Sequence, residues 1–163
     1  MPANLKRFYG NKDVHFITCT CYHRLPLLAS SDSRTVFAKM LGEVRDAYGF
    51  LLIGYVVMPN HIHLLISEPP HATPSTVMQV LKQEPSRRLR INARRDALLP
   101  QFWQRRFHDF NVCHHEKIIE KLEYMHLNPV KENLVRRAQE WPWSSSSYYE
   151  TGVQGLVRID GVT

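Results

Sequence analysis

Apolar positions along the chain follow two rhythms, alternate residues in some stretches and every third or fourth residue in others. Residues 14–22 alternate β-branched and aromatic side chains and predict a first strand. Between 32 and 48, Val36, Phe37, Met40, Leu41 and Val44 recur at helical spacing, with Asp32 or Ser33 placed to cap the start and Gly49 to end it. Residues 50–58 predict a strongly apolar second strand and residues 61–67 a third; the short Pro59-Asn60 link makes them an antiparallel hairpin. A helix over 75–93 follows, with Val77, Val80, Leu81, Leu89 and Ile91 inward and Pro85 expected to kink or split it. Residues 102–112, carrying Trp103, Phe107 and Phe110, read as a fourth strand. Ile118, Ile119, Leu122 and Met125 mark a last helix over 114–127, with Glu116 suited to its positive end and Pro129 expected to stop it.

The order is strand, helix, strand, strand, helix, strand, helix. Its first six elements match the split βαβ arrangement of an α+β, ferredoxin-like fold: an antiparallel sheet with helices on one face. No repeat or low-complexity linker interrupts the 163 residues, so residues 1–149 are expected to form one domain, with 150–163 a C-terminal tail.

Composition adds bounds. Hydrophobic residues at 44% and charged residues at 22% suit an ordinary globular domain. No apolar run approaches the ~20 residues that span a bilayer, and the start lacks a signal-peptide core, so a cytoplasmic protein with no membrane partner is expected. Cys19, Cys21 and Cys113 form no CxxC pair; buried free thiols in a reducing compartment are the expectation. Lysine and arginine exceed aspartate and glutamate by 21 to 15, giving net charge +6, which favours a polyanionic partner, nucleic acid first.

Two stretches carry candidate chemistry. In Met58-Pro59-Asn60-His61-Ile62-His63, the period-two geometry of a strand puts His61 and His63 on one face and Ile62 on the other. Two imidazoles so placed are either half-exposed strand histidines or a pair converging on one divalent cation. In Tyr124-Met125-His126-Leu127-Asn128-Pro129, Tyr124 and Asn128 are four apart and share a helix face. They are either a boundary tyrosine and a helix-end asparagine, or a nucleophile and a ligand lying over the histidines. In the second case a cation held by His61, His63 and the Asn128 oxygen would orient a phosphate, and Tyr124 would attack phosphorus to give a covalent tyrosine intermediate and a free 3′-hydroxyl. That donor set permits Mg²⁺ or Mn²⁺ and does not exclude Zn²⁺ or Ni²⁺.

Together these blocks resemble a known family. His61-Ile62-His63 resembles the HUH motif (histidine, bulky hydrophobic, histidine) of single-tyrosine transposases. Residues 124–131, followed by Leu134-Val135 and Trp141-Pro142-Trp143-Ser144-Ser145, are similar to the tyrosine-helix segment of REP-associated tyrosine transposases, in the IS200-like class; residues 102–107 fit between. The similarity covers about residues 8–149. It implies an HUH nuclease domain with metal-dependent cleavage and rejoining of single-stranded DNA at palindromic hairpins, through a covalent 5′-phosphotyrosine. Tyr124 falls on the nucleophile, His61 and His63 on the metal pair, and Asn128 on the third ligand, where insertion-sequence relatives often carry the longer glutamine. Mg²⁺ or Mn²⁺ is the implied cofactor and hairpin DNA the partner. Monomer and homodimer stay open.

The basic residues take their meaning from that partner. Lys82, Arg87, Arg88, Arg90, Arg94 and Arg95 cluster in and after the second helix, and Arg105 and Arg106 would alternate across the fourth strand. Arg7, in a basic-aromatic N-terminal arm with Phe8 and Tyr9, and Lys131 complete the set expected to meet DNA. Two rivals stand beside this reading: a non-catalytic module of the same fold that binds DNA or RNA hairpins, and a metal-dependent hydrolase of small phosphoesters in which water attacks.

Overall fold

A computed structural model of the chain describes residues 8–92 and 99–162. Four strands, β1 (Val14–Thr20), β2 (Leu52–Val57), β3 (His61–Ser67) and β4 (His108–Val112), form one sheet in the order β2-β3-β1-β4. Every pairing is antiparallel, with Phe16 opposite Leu65 on β3 and opposite Phe110 on β4. The helices are α1 (Ser31–Tyr48), α2 (Pro74–Asn92), α3 (His115–Lys131) and the short α4 (Ser146–Thr151). This is the ferredoxin-like topology, with β3 inserted between β1 and β2.

Strand alternation divides the apolar residues between two cores. Ile17 and Cys19 of β1 and Ile62, Leu64 and Ile66 of β3 point to one face, where Phe37 and Leu41 of α1 and Val77 and Leu81 of α2 cover them. Phe16, Val56 and Leu65 point to the other face, against Leu122 and Met125 of α3. The two helices of the split βαβ set thus share one face as expected, and α3, outside that set, lies across the other. Cys19 and Cys21 are buried free thiols, and Cys113 is an exposed one.

Several boundaries differ from the sequence expectation, each for a local reason. Ser30, not Asp32 or Ser33, caps α1: its hydroxyl accepts from the Ser33 amide at 3.1 Å. Helix α2 continues through Pro85, because Leu81 and Leu89, one turn to either side, are both buried in the first core. Residues 102–107 are not a strand; Trp103 makes a single bridge to Cys21, and Phe102, Trp103 and Phe107 all enter the same core, so their spacing was not alternation. Ile119 is exposed. Helix α3 runs through Pro129 to Lys131. The buried ring costs one backbone bond in the last turn, where Glu132 still donates to Asn128 and Leu134 to the Pro129 carbonyl.

The chain beyond α3 pins these layers together. Trp141 donates its indole N–H to the Val57 carbonyl, Val57 donates to the Trp143 carbonyl, and Ser145 donates to the Tyr55 carbonyl, so residues 141–145 line the outer edge of β2. The Arg34 guanidinium of α1 lies over both indoles, 4.6 Å from the Trp141 ring and 4.0 Å from the Trp143 ring. Farther on, Val157 and Ile159 are buried in the first core, and Asp160 pairs with Arg45.

Gly54 sets how close α3 comes. A Cβ there would lie 2.4 Å from Leu122 Cδ2, 3.0 Å from Met125 Cε and 3.2 Å from Ser145 Oγ. Gly54→Ala is therefore expected to cost about 1–3 kcal/mol by overpacking. Leu122→Ala alone should cost about 2–5 kcal/mol, and less when combined with Gly54→Ala, because the new methyl fills part of the hole. Urea unfolding of the double-mutant cycle checks this; strictly additive costs would refute the contact.

One buried polar cluster crosses the sheet edge. His15 is fully enclosed, its Nδ1 2.7 Å from Asp109 Oδ1 and its Nε2 3.4 Å from Glu68 Oε2. Burial opposes its charged form, but the hydrogen bonds to and charges of Asp109 and Glu68 outweigh that and raise its pKa above the ordinary 6.5. A raised folded-state pKa contributes stability that is fully present below about pH 6.5 and disappears as pH rises through the folded value. Denaturation midpoints should fall over that rise, and Asp109→Asn should flatten the dependence.

Candidate functional site

His61 opens β3 directly after the Pro59-Asn60 turn, so the alternation that sends Ile62 inward turns His61 and His63 toward the α3 face. Their ring centroids are 4.8 Å apart. Phe16, on the neighbouring strand, stacks on His63 at 5.2 Å with 19° between planes and closes off its underside. Above them, α3 presents Tyr124 and Asn128 one turn apart. Tyr124 is 47% exposed although its ring stands edge-on to His63 at 5.5 Å and to Phe16 at 6.1 Å. Asn128 Oδ1 reaches within 2.8 Å of His61 Nε2. The four residues border a cleft of about 620 Å³, with Thr18, Thr20 and Gln104 along its floor.

Both imidazoles are held neutral. Burial, reinforced by the charges of His61 and Lys121, pushes the His63 pKa down to about 3. Burial also lowers His61, against the opposing hydrogen bond that its Nε2 can donate to the Asn128 oxygen; Arg24 adds to the lowering and Glu132 opposes it. A neutral ring carries one N–H and one lone pair. Thr18 Oγ1 stands 2.8 Å from His63 Nδ1 and occupies that nitrogen, which leaves Nε2 to a ligand. In His61 both nitrogens face amide oxygens, Nδ1 that of Asn60 at 2.6 Å and Nε2 that of Asn128 at 2.8 Å. One N–H cannot serve both. When it is given to Asn60, the Nε2 lone pair and the Asn128 oxygen face each other, close to the ~3 Å expected between neighbouring ligands of an octahedral cation with bonds of about 2.1 Å. Among the described residues no cluster of three or more His, Cys, Asp or Glu is placed to hold a metal ion; the nitrogen and amide-oxygen donors brought together here are those of His61, His63 and Asn128.

The basic residues named from sequence divide. Lys131 is exposed, its ammonium 5.5 Å over the Tyr124 ring. Arg105 is exposed beside Gln104. Lys82 donates to the carbonyls of Gln104 and Arg105 and ties α2 to that loop. Arg87 and Arg88 are exposed on α2, on the reverse face of the sheet. Arg7, Arg94 and Arg95, and the side chain of Arg90, lie outside the described residues. Of the aromatic arm, Phe8 is exposed, and the Tyr9 hydroxyl shares a hydrogen bond with Ser75 at 2.6 Å. His126 turns away from the cleft to Ser145 Oγ, and burial takes its pKa down to about 4.

Sequence reasoning missed Thr18, Asn60, Phe16, Arg24, Lys121 and Phe110. Lys121 was within reach, since it precedes Tyr124 by three and so shares its helix face. Thr18 and Phe16 required the β1–β3 register, which pairs Thr18 with His63.

Fold and side chains together define a class: a ferredoxin-like domain that presents a histidine–hydrophobic–histidine strand beneath an exposed helical tyrosine. The comparisons with known proteins agree. A family model described as "Transposase IS200 like" matches residues 9–128. A protein of Haemophilus influenzae named among the REP-associated tyrosine transposases is 25% identical over 150 residues, covering 88% of this chain and 85% of its own. The REP-associated tyrosine transposase of Escherichia coli K12 is 22% identical over 160 residues, covering 97% and 90%. The solved structure of a REP-associated tyrosine transposase bound to a REP hairpin superposes with a TM-score of 0.72 at 21% identity, over 99% of this chain and 93% of that one, a likeness of fold. The chain belongs to the IS200-like transposase family, a family of DNA-cleaving enzymes.

Proposed function

We propose that the protein is a metal-dependent transposase-type nuclease that cuts and rejoins single-stranded DNA beside a hairpin, with Tyr124 as the nucleophile. The observation that carries this reading is the exposed Tyr124 on the same helix face as Asn128, whose oxygen lies 2.8 Å from His61 Nε2. The related structure with its REP hairpin supports hairpin DNA as the partner.

His61, His63 and Asn128 would hold the divalent cation, with Mg²⁺ or Mn²⁺ the ions such oxygen-containing sites take. When bound, the cation supplies Lewis-acid polarisation of a non-bridging phosphate oxygen. The chain's own residues do the rest. Thr18 and Asn60 engage Nδ1 of the two rings, and with the ring proton at Nδ1 each Nε2 lone pair would be available to a ligand. Lys131, over the Tyr124 ring, and Lys121, on the same cleft, supply positive charge where the phenolate forms and the phosphate backbone passes. The Tyr124 oxygen bonds to phosphorus as the bond to the 3′-oxygen breaks; the 3′-oxygen leaves and takes up a proton. Attack by another 3′-hydroxyl on the phosphotyrosine restores the phosphodiester and returns the proton to Tyr124.

Two outcomes are expected. With a labelled hairpin oligonucleotide taken from palindromic repeats beside the gene, wild type plus Mg²⁺ or Mn²⁺ should give a DNA-linked protein band on a denaturing gel. Chelator or Tyr124→Phe should abolish it. Hairpin binding by both proteins with no cut strand under any metal would identify a binding module instead, and cleavage without an adduct would point to attack by water. Second, Thr18→Val, which removes the partner of His63 Nδ1, should raise the metal concentration needed for half-maximal cleavage by about 10–100-fold. An unchanged metal requirement would remove Thr18 from this role.

A further inference from the structure

We propose that Phe110 is the seat on which an unpaired base of the cut strand stacks, with Lys121 holding the phosphate beside it; this rests on the DNA-cleaving reading above. Phe110 is 61% exposed on β4 and borders the same cleft as Tyr124. Its register partner is Phe16, and directly opposed residues of an antiparallel pair project from the same face. Phe16 stacks on His63 and meets the Tyr124 ring at 6.1 Å. Phe110 therefore stands one strand beyond the reacting group, within reach of a base close to the phosphate at Tyr124.

What surrounds Phe110 identifies the occupant. Helix α3 packs its apolar side on β2 and β3 and also buries Phe16 and Val112 of β1 and β4, while Thr18, Thr20, His108 and Phe110 border the cleft. An exposed phenyl ring beside that cleft offers a flat apolar surface, and among the described residues the cation over it is Lys121. The Lys121 ammonium lies 5.7 Å from the Phe110 ring and 5.1 Å from the Phe16 ring. An aromatic face next to a positive charge is the pairing that single-stranded DNA recognition uses, stacking for the base and charge for its phosphate. Paired bases in a stem keep their faces covered by their neighbours, so this seat selects the unpaired segment.

The test uses the full chain and a DNA hairpin with and without a short single-stranded extension, taken from the same palindromic repeats, with 2-aminopurine moved base by base along the extension. Wild type should prefer the extended hairpin, and 2-aminopurine should be quenched at one position. Phe110→Ala should weaken binding of the extended hairpin by roughly ten- to a hundredfold, restore the fluorescence and leave the blunt hairpin unaffected. Phe110→Trp should preserve both affinity and quenching. Lys121→Gln should reduce the slope of binding against salt by about one phosphate contact. Equal affinity of wild type and Phe110→Ala for the extended hairpin, an equal loss for the blunt one, or no preference of wild type for the extension would each overturn the proposal. The readout is binding and is repeated in Tyr124→Phe, so quenching that depends on Phe110 without any adduct in wild type would reject Tyr124 as nucleophile and leave the stacking seat standing.

Discussion

The cleft exists because α3 can lie very close to the sheet, and the missing side chain at Gly54 is what permits it. Leu122 and Met125 occupy the space a Cβ would need, and they draw down the one helix that bears both Tyr124 and Asn128. The helix gains hydrophobic burial along the same face that aims these two residues at His61 and His63. Its departure is fixed as firmly: the chain that leaves it runs along β2, and the Arg34 guanidinium over Trp141 and Trp143 joins that segment to α1. The Trp-Pro-Trp-Ser-Ser block therefore acts as a clasp, and its Ser145 also meets His126 of α3.

The two faces of the sheet have different work. One is filled by α1 and α2 and supplies most of the buried apolar area. The other is covered only in part, and the cleft left beside α3 collects neutral histidines, two threonines and an exposed phenyl ring, with the ammonium groups of Lys121 and Lys131 on the helix above. Burial keeps the imidazoles uncharged beside the side chains of Lys121 and Lys131, so the cleft combines basic groups with nitrogen lone pairs. Arg87 and Arg88 lie on the reverse side. A hairpin that meets those residues and the cleft together must wrap the domain rather than rest on one surface.

The parts of this arrangement that depend on short-range periodicity were legible in the sequence. A period of two orients His61 and His63 whatever else the chain does, and a spacing of four puts Asn128 beside Tyr124 on any helix. The element order was enough to give the sheet topology. What escaped depends on contacts distant in sequence. Pro129 was read as a stop because its local cost is visible, whereas the burial that offsets it is not. Phe102, Trp103 and Phe107 resemble an alternating strand because a loop folding over a core also sends its aromatics one way. Thr18 has no distinguishing mark until the β1–β3 register places it opposite His63, and nothing local says that α3 crosses the face opposite α1 and α2.

Tyr124 and Asn128 ride on one stiff helix, which gives the site an all-or-none character. A shift of α3 that withdraws the proposed nucleophile also withdraws the proposed third ligand, so a half-assembled centre, gripping a cation with no tyrosine in place, has no separate existence. The sheet floor, with Phe110 on β4, does not depend on that helix in the same way, whereas Lys121 and Lys131 move with it. Loosening at the single glycine contact would thus displace the proposed nucleophile, the proposed third ligand and both lysines together, and leave in place only what the strands carry, Phe110 and the threonines.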